Sequence, residues 1–154
     1  MDYNKQDIIS LYDQNDIEMM NKVEIINKGF EGRIQNIIKY AELSGIKKIG
    51  IAHCISVSRL ARQLESKLSE KFEVFTVDCK VGRIDRSELL SKGRGAVCNP
   101  VMQAKFLNDN ETELNIVMAL CLGHDILFNK YSEAPTTTLL VKDEVYGDPF
   151  EAIR

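Results

Sequence analysis

Four cysteines and two histidines are the residues best equipped for chemistry in this chain: Cys54, Cys79, Cys98, Cys121, His53 and His124. The cysteines stand 25, 19 and 23 positions apart, with no Cys-x-x-Cys pair among them, so spacing alone assigns neither a zinc finger nor a ferredoxin-type cluster. Thiolates are both soft ligands and strong nucleophiles, which leaves two chemistries open. In the first, Cys54, Cys79, Cys98 and Cys121 together hold zinc, copper(I) or an iron–sulfur cluster. His124 then serves as an alternate ligand or proton carrier, with Asp125 as the carboxylate behind its ring. In the second, Cys54 or Cys98 is a metal-free nucleophile, His124 its base and Asp125 the group that orients the imidazole.

Residues so far apart meet only if the fold returns the chain repeatedly to one place, and the hydrophobic pattern describes such a fold. Residues 48–53 (Lys-Ile-Gly-Ile-Ala-His) form a short apolar run, a predicted buried strand. Val57, Leu60, Ala61, Leu64 and Leu68 then share one helical face. A β-rich run follows at 72–77, then a loop from 82 to 95 with one helical turn at 87–90. Asn99 and Pro100 start a helix reaching about position 108, since Asn caps and Pro suits the first helical position. Further strands fall at 114–120 and 137–141, with a short helix at 123–131 between them. Strands alternating with helices predict an α/β, Rossmann-like three-layer sandwich, with a mostly parallel sheet of about four strands in the order 2-1-3-4 and right-handed crossovers. Ahead of this unit, two helices are expected: one loosely periodic around Ile17 to Ile26 with Asp16 as its cap, and one at 31–42 stopped by Gly45. The first six residues are polar and expected to fray. The whole chain, 1–154, is expected to form one α/β domain with 1–45 as a helical segment packed on it.

In a parallel sheet every strand ends on the same edge, where ligands bind at the switch in strand order. Cys54 follows the first predicted strand, Cys79 the second and Cys121 the third, while Cys98 precedes the helix leading back into the third. All four cysteines and both histidines therefore map to one rim. Cys54 and Cys98 also lie at predicted helix N-termini, where free N–H groups favour a thiolate. Taken singly, each cysteine reads as a small buried hydrophobe and His53 as a core imidazole; the shared rim argues against that reading for the set. Lys80, Gly82 and Arg83, with Lys92-Gly93-Arg94-Gly95 and the helix start at Asn99, line the same rim. Lys80, Gly82 and Asn99 accordingly suit a small anionic ligand, a third reading in which the protein is a small-molecule binding module. No Gly-x-Gly-x-x-Gly follows the first strand and no Walker sequence is present, which disfavours a standard dinucleotide or P-loop site.

The chain of 154 residues carries a net charge of −3 with 28% charged residues and no Trp. Without a basic stripe or aromatic platform, nucleic acid is not an expected partner. The N-terminus has no apolar signal core and no run approaches the ~18 residues of a membrane span. The expected location is the cytoplasm, where thiols stay free, metal-bound or catalytic. The apolar residues of the N-terminal helices offer a homodimer contact.

The stretch from Cys98-Asn99-Pro100-Val101-Met102-Gln103-Ala104 to Leu120-Cys121-Leu122-Gly123-His124-Asp125 resembles the DUF1847 family, an uncharacterised family described as metal-binding. Lys47 to Cys54, Cys79-Lys80-Val81-Gly82 and Leu139-Leu140-Val141-Lys142-Asp143 extend the resemblance from about residue 30 to the end of the chain. It implies a metal, zinc or iron–sulfur, at the cysteine rim. The further N-terminal cysteines of that family have no counterpart here, because no Cys precedes Cys54.

Overall fold

The computed structural model describes residues 4–29, 31–90 and 92–143. The chain divides into two units, Met1–Gly45 and Ile46–Arg154. The turn-like tail expected after Asp143 lies outside the described residues.

In the first unit a helix begins earlier than the polar N-terminus predicts. Asn4 accepts the Gln6 N–H and starts α1, Lys5–Ile9. The chain then breaks and restarts as α2, Gln14–Asn27, whose cap is Asp13 rather than Asp16. Asp16 is instead the third helical residue: its carboxylate takes the Asp13 N–H while Asp13 takes the Asp16 N–H, a reciprocal pair that satisfies two otherwise orphaned donors. Ile26 is the buried residue of α2, whereas Met19, Met20, Val23 and Ile25 are exposed. Helix α3, Arg33–Leu43, buries Ile37, Ile38 and Ala41 and ends before Gly45, whose φ of +70° is the left-handed stop expected there.

The second unit carries the sheet. Strands β1 (Lys48–His53), β2 (Glu73–Asp78), β3 (Leu114–Met118) and β4 (Thr136–Leu140) pair in parallel in the order β2-β1-β3-β4, as the alternating pattern predicts. Helix α4 (Ser58–Leu68) joins β1 to β2 after a short 3-10 turn, Ile55–Val57. The short α5 (Arg86–Leu89) and α6 (Pro100–Asp109) lie between β2 and β3, and α7 (His124–Tyr131) joins β3 to β4. Helix α4 packs against β1 and β2, and α6 packs against α7.

Register decides which residues share a face. Ala52 pairs with both Val77 and Val117, and these three pack with Ala104, Leu107 and Phe128 under α6 and α7. Gly50 sits one pleat earlier, beside Asn115. A Cβ at position 50 would meet the Asn115 side-chain Oδ1 and stand 2.8 Å from Leu107 Cδ1, so glycine is what lets α6 lie this close to the sheet. The same core cluster continues past the strand ends to Cys54 and Cys79. The core thus runs unbroken into the rim. Strand β3 stops at Met118, two residues before the predicted end, because Ala119 turns to φ +54° and gives its N–H to Leu140. No helix among the described residues is long and apolar enough to cross a membrane.

Candidate functional site

The first turn of α6 is the hub of the rim. Asn99 caps the helix by accepting the Met102 N–H at 3.1 Å, an interaction worth about 1 kcal/mol. The Asn99 N–H also donates to the Cys79 carbonyl at 2.8 Å, which ties the chain beside Cys98 to the end of β2. One turn on, Gln103 is fully buried and its amide donates to the carbonyls of His53 at 3.2 Å and Val77 at 3.0 Å. Those carbonyls close β1 and β2 just before Cys54 and Cys79. A single helical turn therefore fixes the backbone next to three of the four cysteines.

The sulfurs form a chain with one cation at its start and a second between its last two members. Lys80 Nζ donates to Cys98 Sγ at 3.3 Å and to the Ala96 carbonyl at 2.8 Å. Cys98 Sγ lies 3.8 Å from Cys79 Sγ. Cys79 comes next, accepting the Ile55 N–H at 3.4 Å, with Cys54 as its electrostatic neighbour. Lys142 Nζ then bridges Cys54 Sγ at 3.7 Å and Cys121 Sγ at 3.4 Å. The order in space is Lys80, Cys98, Cys79, Cys54, Lys142, Cys121. Cys54 and Cys79 are 5% and 3% exposed, so reagents reach the half-buried Cys98 and Cys121 first.

Two of these thiols are driven apart in acidity. Burial opposes charge on Cys54. The Ser56 hydroxyl at 3.2 Å and its N–H, the Lys142 ammonium and the Cys79 thiol outweigh burial, and the Cys54 pKa falls below the ordinary thiol value. Cys79 is pushed up to about 12, chiefly by burial. The Ile55 N–H, 3.4 Å away, opposes this, while neighbouring Cys98 and Cys54 add to it.

The other residues singled out by the sequence take up different work. Asp125 Oδ1 accepts the Gly123 and Ile126 N–H groups at 2.9 and 2.7 Å, so its carboxylate secures the start of α7. His124 opens that helix, half-buried, with its N–H on the Cys121 carbonyl. The group beside each sulfur is an ammonium, a hydroxyl, an N–H or another sulfur. His53 is a buried imidazole whose Nδ1 lies 2.9 Å from the Cys54 carbonyl. Gly82 supplies a left-handed turn at φ +79° behind Lys80. Lys142 and Gln103 carry roles that the sequence pattern did not single out. The signal for Lys142 was topological: it follows β4 as the cysteines follow β1 to β3.

Thiolates around one tetrahedral zinc stand about 3.8 Å apart, given Zn–S bonds of about 2.3 Å. The Cys79–Cys98 pair fits one such edge. The wider set does not follow: among the described residues no three His, Cys, Asp or Glu side chains are arranged to hold a metal ion. Cys54 and Cys121 face Lys142 instead.

The family profile described as "protein of unknown function (DUF1847)" matches residues 1–139. The chain belongs to the DUF1847 family. A relative from Methanocaldococcus jannaschii, named uncharacterized protein MJ0455, is 50% identical over 118 residues, which is 73% of this chain and 61% of that protein. The DUF1847 chain thus spans less than two thirds of that relative's length. No solved structure matches it at a significant level.

Proposed function

We infer that the protein carries out thiol–disulfide exchange at the C-terminal edge of its sheet, with Cys98 and Cys79 as the working pair. The observation that carries this reading is the 3.8 Å separation of two sulfurs, one half-buried and one covered. A nucleophile with a second thiol in contact has a resolving partner; a nucleophile for acyl transfer needs a base there instead.

The Cys98 sulfur, beside the Lys80 ammonium, gives its proton to solvent and attacks one sulfur of a small disulfide R–S–S–R. That S–S bond breaks, RS⁻ leaves with the electron pair, and Cys98 is joined to the other half. Cys79 then attacks the Cys98 sulfur and expels the second RS⁻, closing a Cys79–Cys98 disulfide. Cys79 likewise gives its proton to solvent, and the two released RS⁻ take up the protons of both thiols. The protein dithiol is oxidised and R–S–S–R is reduced to two RSH.

The test uses reduced protein in a Cys54→Ser, Cys121→Ser background with hydroxyethyl disulfide. Two small thiols per chain are expected. Cys79→Ser should release one and retain an adduct on Cys98, and Cys98→Ser should release none. Separate adducts on Cys79 and Cys98 with no internal link would overturn the reading.

A second reading, a soft metal held by the four cysteines, is favoured by the tetrahedral-edge separation of Cys79 and Cys98. It requires Cys54 and Cys121 to leave Lys142. Anaerobic purification with elemental analysis separates the two: stoichiometric zinc or iron lost on Cys98→Ala supports the metal, and metal-free protein with the expected thiol release supports exchange.

A further inference from the structure

We propose that the disulfide taken by this site is a small anionic one, carrying carboxylates or comparable negative groups on both halves. The proposal rests on the dithiol reading above and names its substrate class.

The argument starts from the segment that connects the two working cysteines. Leaving Cys79, the chain passes through residues 80–97 and returns at Cys98. This segment is closed on itself as a flap. Val97 N–H donates to the Ile84 carbonyl at 2.9 Å and Arg86 N–H to the Gly95 carbonyl at 2.8 Å, with Asp85 and Ala96 bridged antiparallel between them. The base of the flap is therefore the sulfur pair itself. With Cys54 and Cys79 covered, a substrate that reaches Cys98 approaches beside the flap.

The charge of the flap is opposite to that of the chain. Its cations are Lys80, Arg83, Arg86, Lys92 and Arg94; its acids are Asp85 and Glu88, within a protein of net charge −3. Both acids are occupied by hydrogen bonds within the flap. Asp85 accepts from the Ser87 N–H and hydroxyl and from the Gly95 N–H, and Glu88 accepts the Asp85 N–H. Arg83, Lys92 and Arg94 are exposed. Gly93 gives room for the Arg86 side chain, since a Cβ there would meet Arg86 Cδ. Lys80 is committed to Cys98, so the exposed cations are the ones left to meet a ligand. Such a local field concentrates anions and repels cations at the sulfur, and salt screens it.

Three small disulfides that differ in charge test this: dithiodiglycolate (anionic), hydroxyethyl disulfide (neutral) and cystamine (cationic). Thiol release from the reduced protein is followed for each, and every rate is divided by that of a free small thiol with the same disulfide. The normalised dithiodiglycolate rate should exceed that of cystamine on the order of ten-fold or more at low salt, and the ratio should fall towards one at high salt. Arg83→Glu with Arg94→Glu should collapse the ratio while leaving the hydroxyethyl disulfide rate unchanged, which also reports that the variant is folded. Equal or reversed preference, or a ratio indifferent to both substitutions and salt, overturns the anionic substrate and leaves the dithiol reading standing. No release from hydroxyethyl disulfide overturns both.

Discussion

Oxidation of the Cys79–Cys98 pair should stabilise the second unit, and the size of the effect follows from where the two residues stand. They are 19 positions apart, and a cross-link closing a loop of about that length lowers the entropy of the unfolded chain enough to add about 3 kcal/mol. The folded state concedes little in return. The backbone beside the pair is already joined by the Asn99 N–H to the Cys79 carbonyl, and the flap between them is closed by the bonds of Arg86 and Val97. The sulfurs must still move from 3.8 Å to about 2 Å, and side chains forced off their rotamers cost about 0.5–1.5 kcal/mol each. With two side chains to move, the net gain is about 0–2 kcal/mol, centred near 1 kcal/mol. Urea unfolding in the Cys54→Ser, Cys121→Ser background, oxidised against reduced, reads this out. With a slope of about 1–3 kcal/mol per molar urea, the midpoint should rise by roughly 0.5 M on oxidation. An oxidised protein that unfolds at the same or lower urea, or a disulfide that forms only after denaturation, would refute the reasoning.

Other consequences follow from single contacts. Lys142→Met removes the cation beside Cys54, so the Cys54 pKa should rise; below it, alkylation of Cys54 by iodoacetamide should slow in proportion to the lost thiolate, and an unchanged pH profile would exclude Lys142 as the cause. Gly50→Ala drives a Cβ into Asn115 and Leu107 and disturbs the buried Thr112–Asn115–Ser132 hydrogen bonds. Overpacking costs about 1–3 kcal/mol and a broken buried bond about 1–3 more, a fall that a urea midpoint resolves. Glu113 accepts the Lys47 and Lys48 N–H groups at 2.6 and 2.9 Å, which hold its carboxyl below the ordinary value. The stability it adds is present above the unfolded pKa of about 4.3 and is lost as pH falls through the lower folded value. Glu113→Gln should flatten that acid limb while costing about 1 kcal/mol at neutral pH, a figure kept small by the exposure of this side chain.

The topology was legible because parallel strands leave an unusually plain signature. Apolar runs at 48–53 and 114–120 alternate with helical periods, and the expected order 2-1-3-4, which no single residue dictates, is the one the sheet adopts. The rim was legible for the same reason: residues that follow parallel strands share an edge, which brought Cys54, Cys79 and Cys121 to one place before any side chain was located. Periodicity does not describe where a sulfur points once the strand has ended. Cys98 and Cys79 came into contact, yet Cys121 turned to Lys142 rather than to a point shared with the other three. Asp125 illustrates a second limit. A carboxylate next to a histidine at a helix start has backbone N–H groups closer to hand than the imidazole, and here they take it. Likewise Asp13 and Asp16 both satisfy the pattern of a cap, and only the break after α1 decides between them. Gln103 gave no signal at all, since a glutamine on a helical face reads as solvated until the carbonyls it clamps are known.

Peptide mapping of the native protein tests the central claim most directly. Reduced wild-type chain is treated with one equivalent of hydroxyethyl disulfide, alkylated, digested and examined by mass spectrometry. The expected product is a peptide pair joined through Cys79 and Cys98, with Cys54 and Cys121 alkylated. A digest in which Cys79 and Cys98 are both alkylated, while adducts or links sit on other cysteines, would contradict the account.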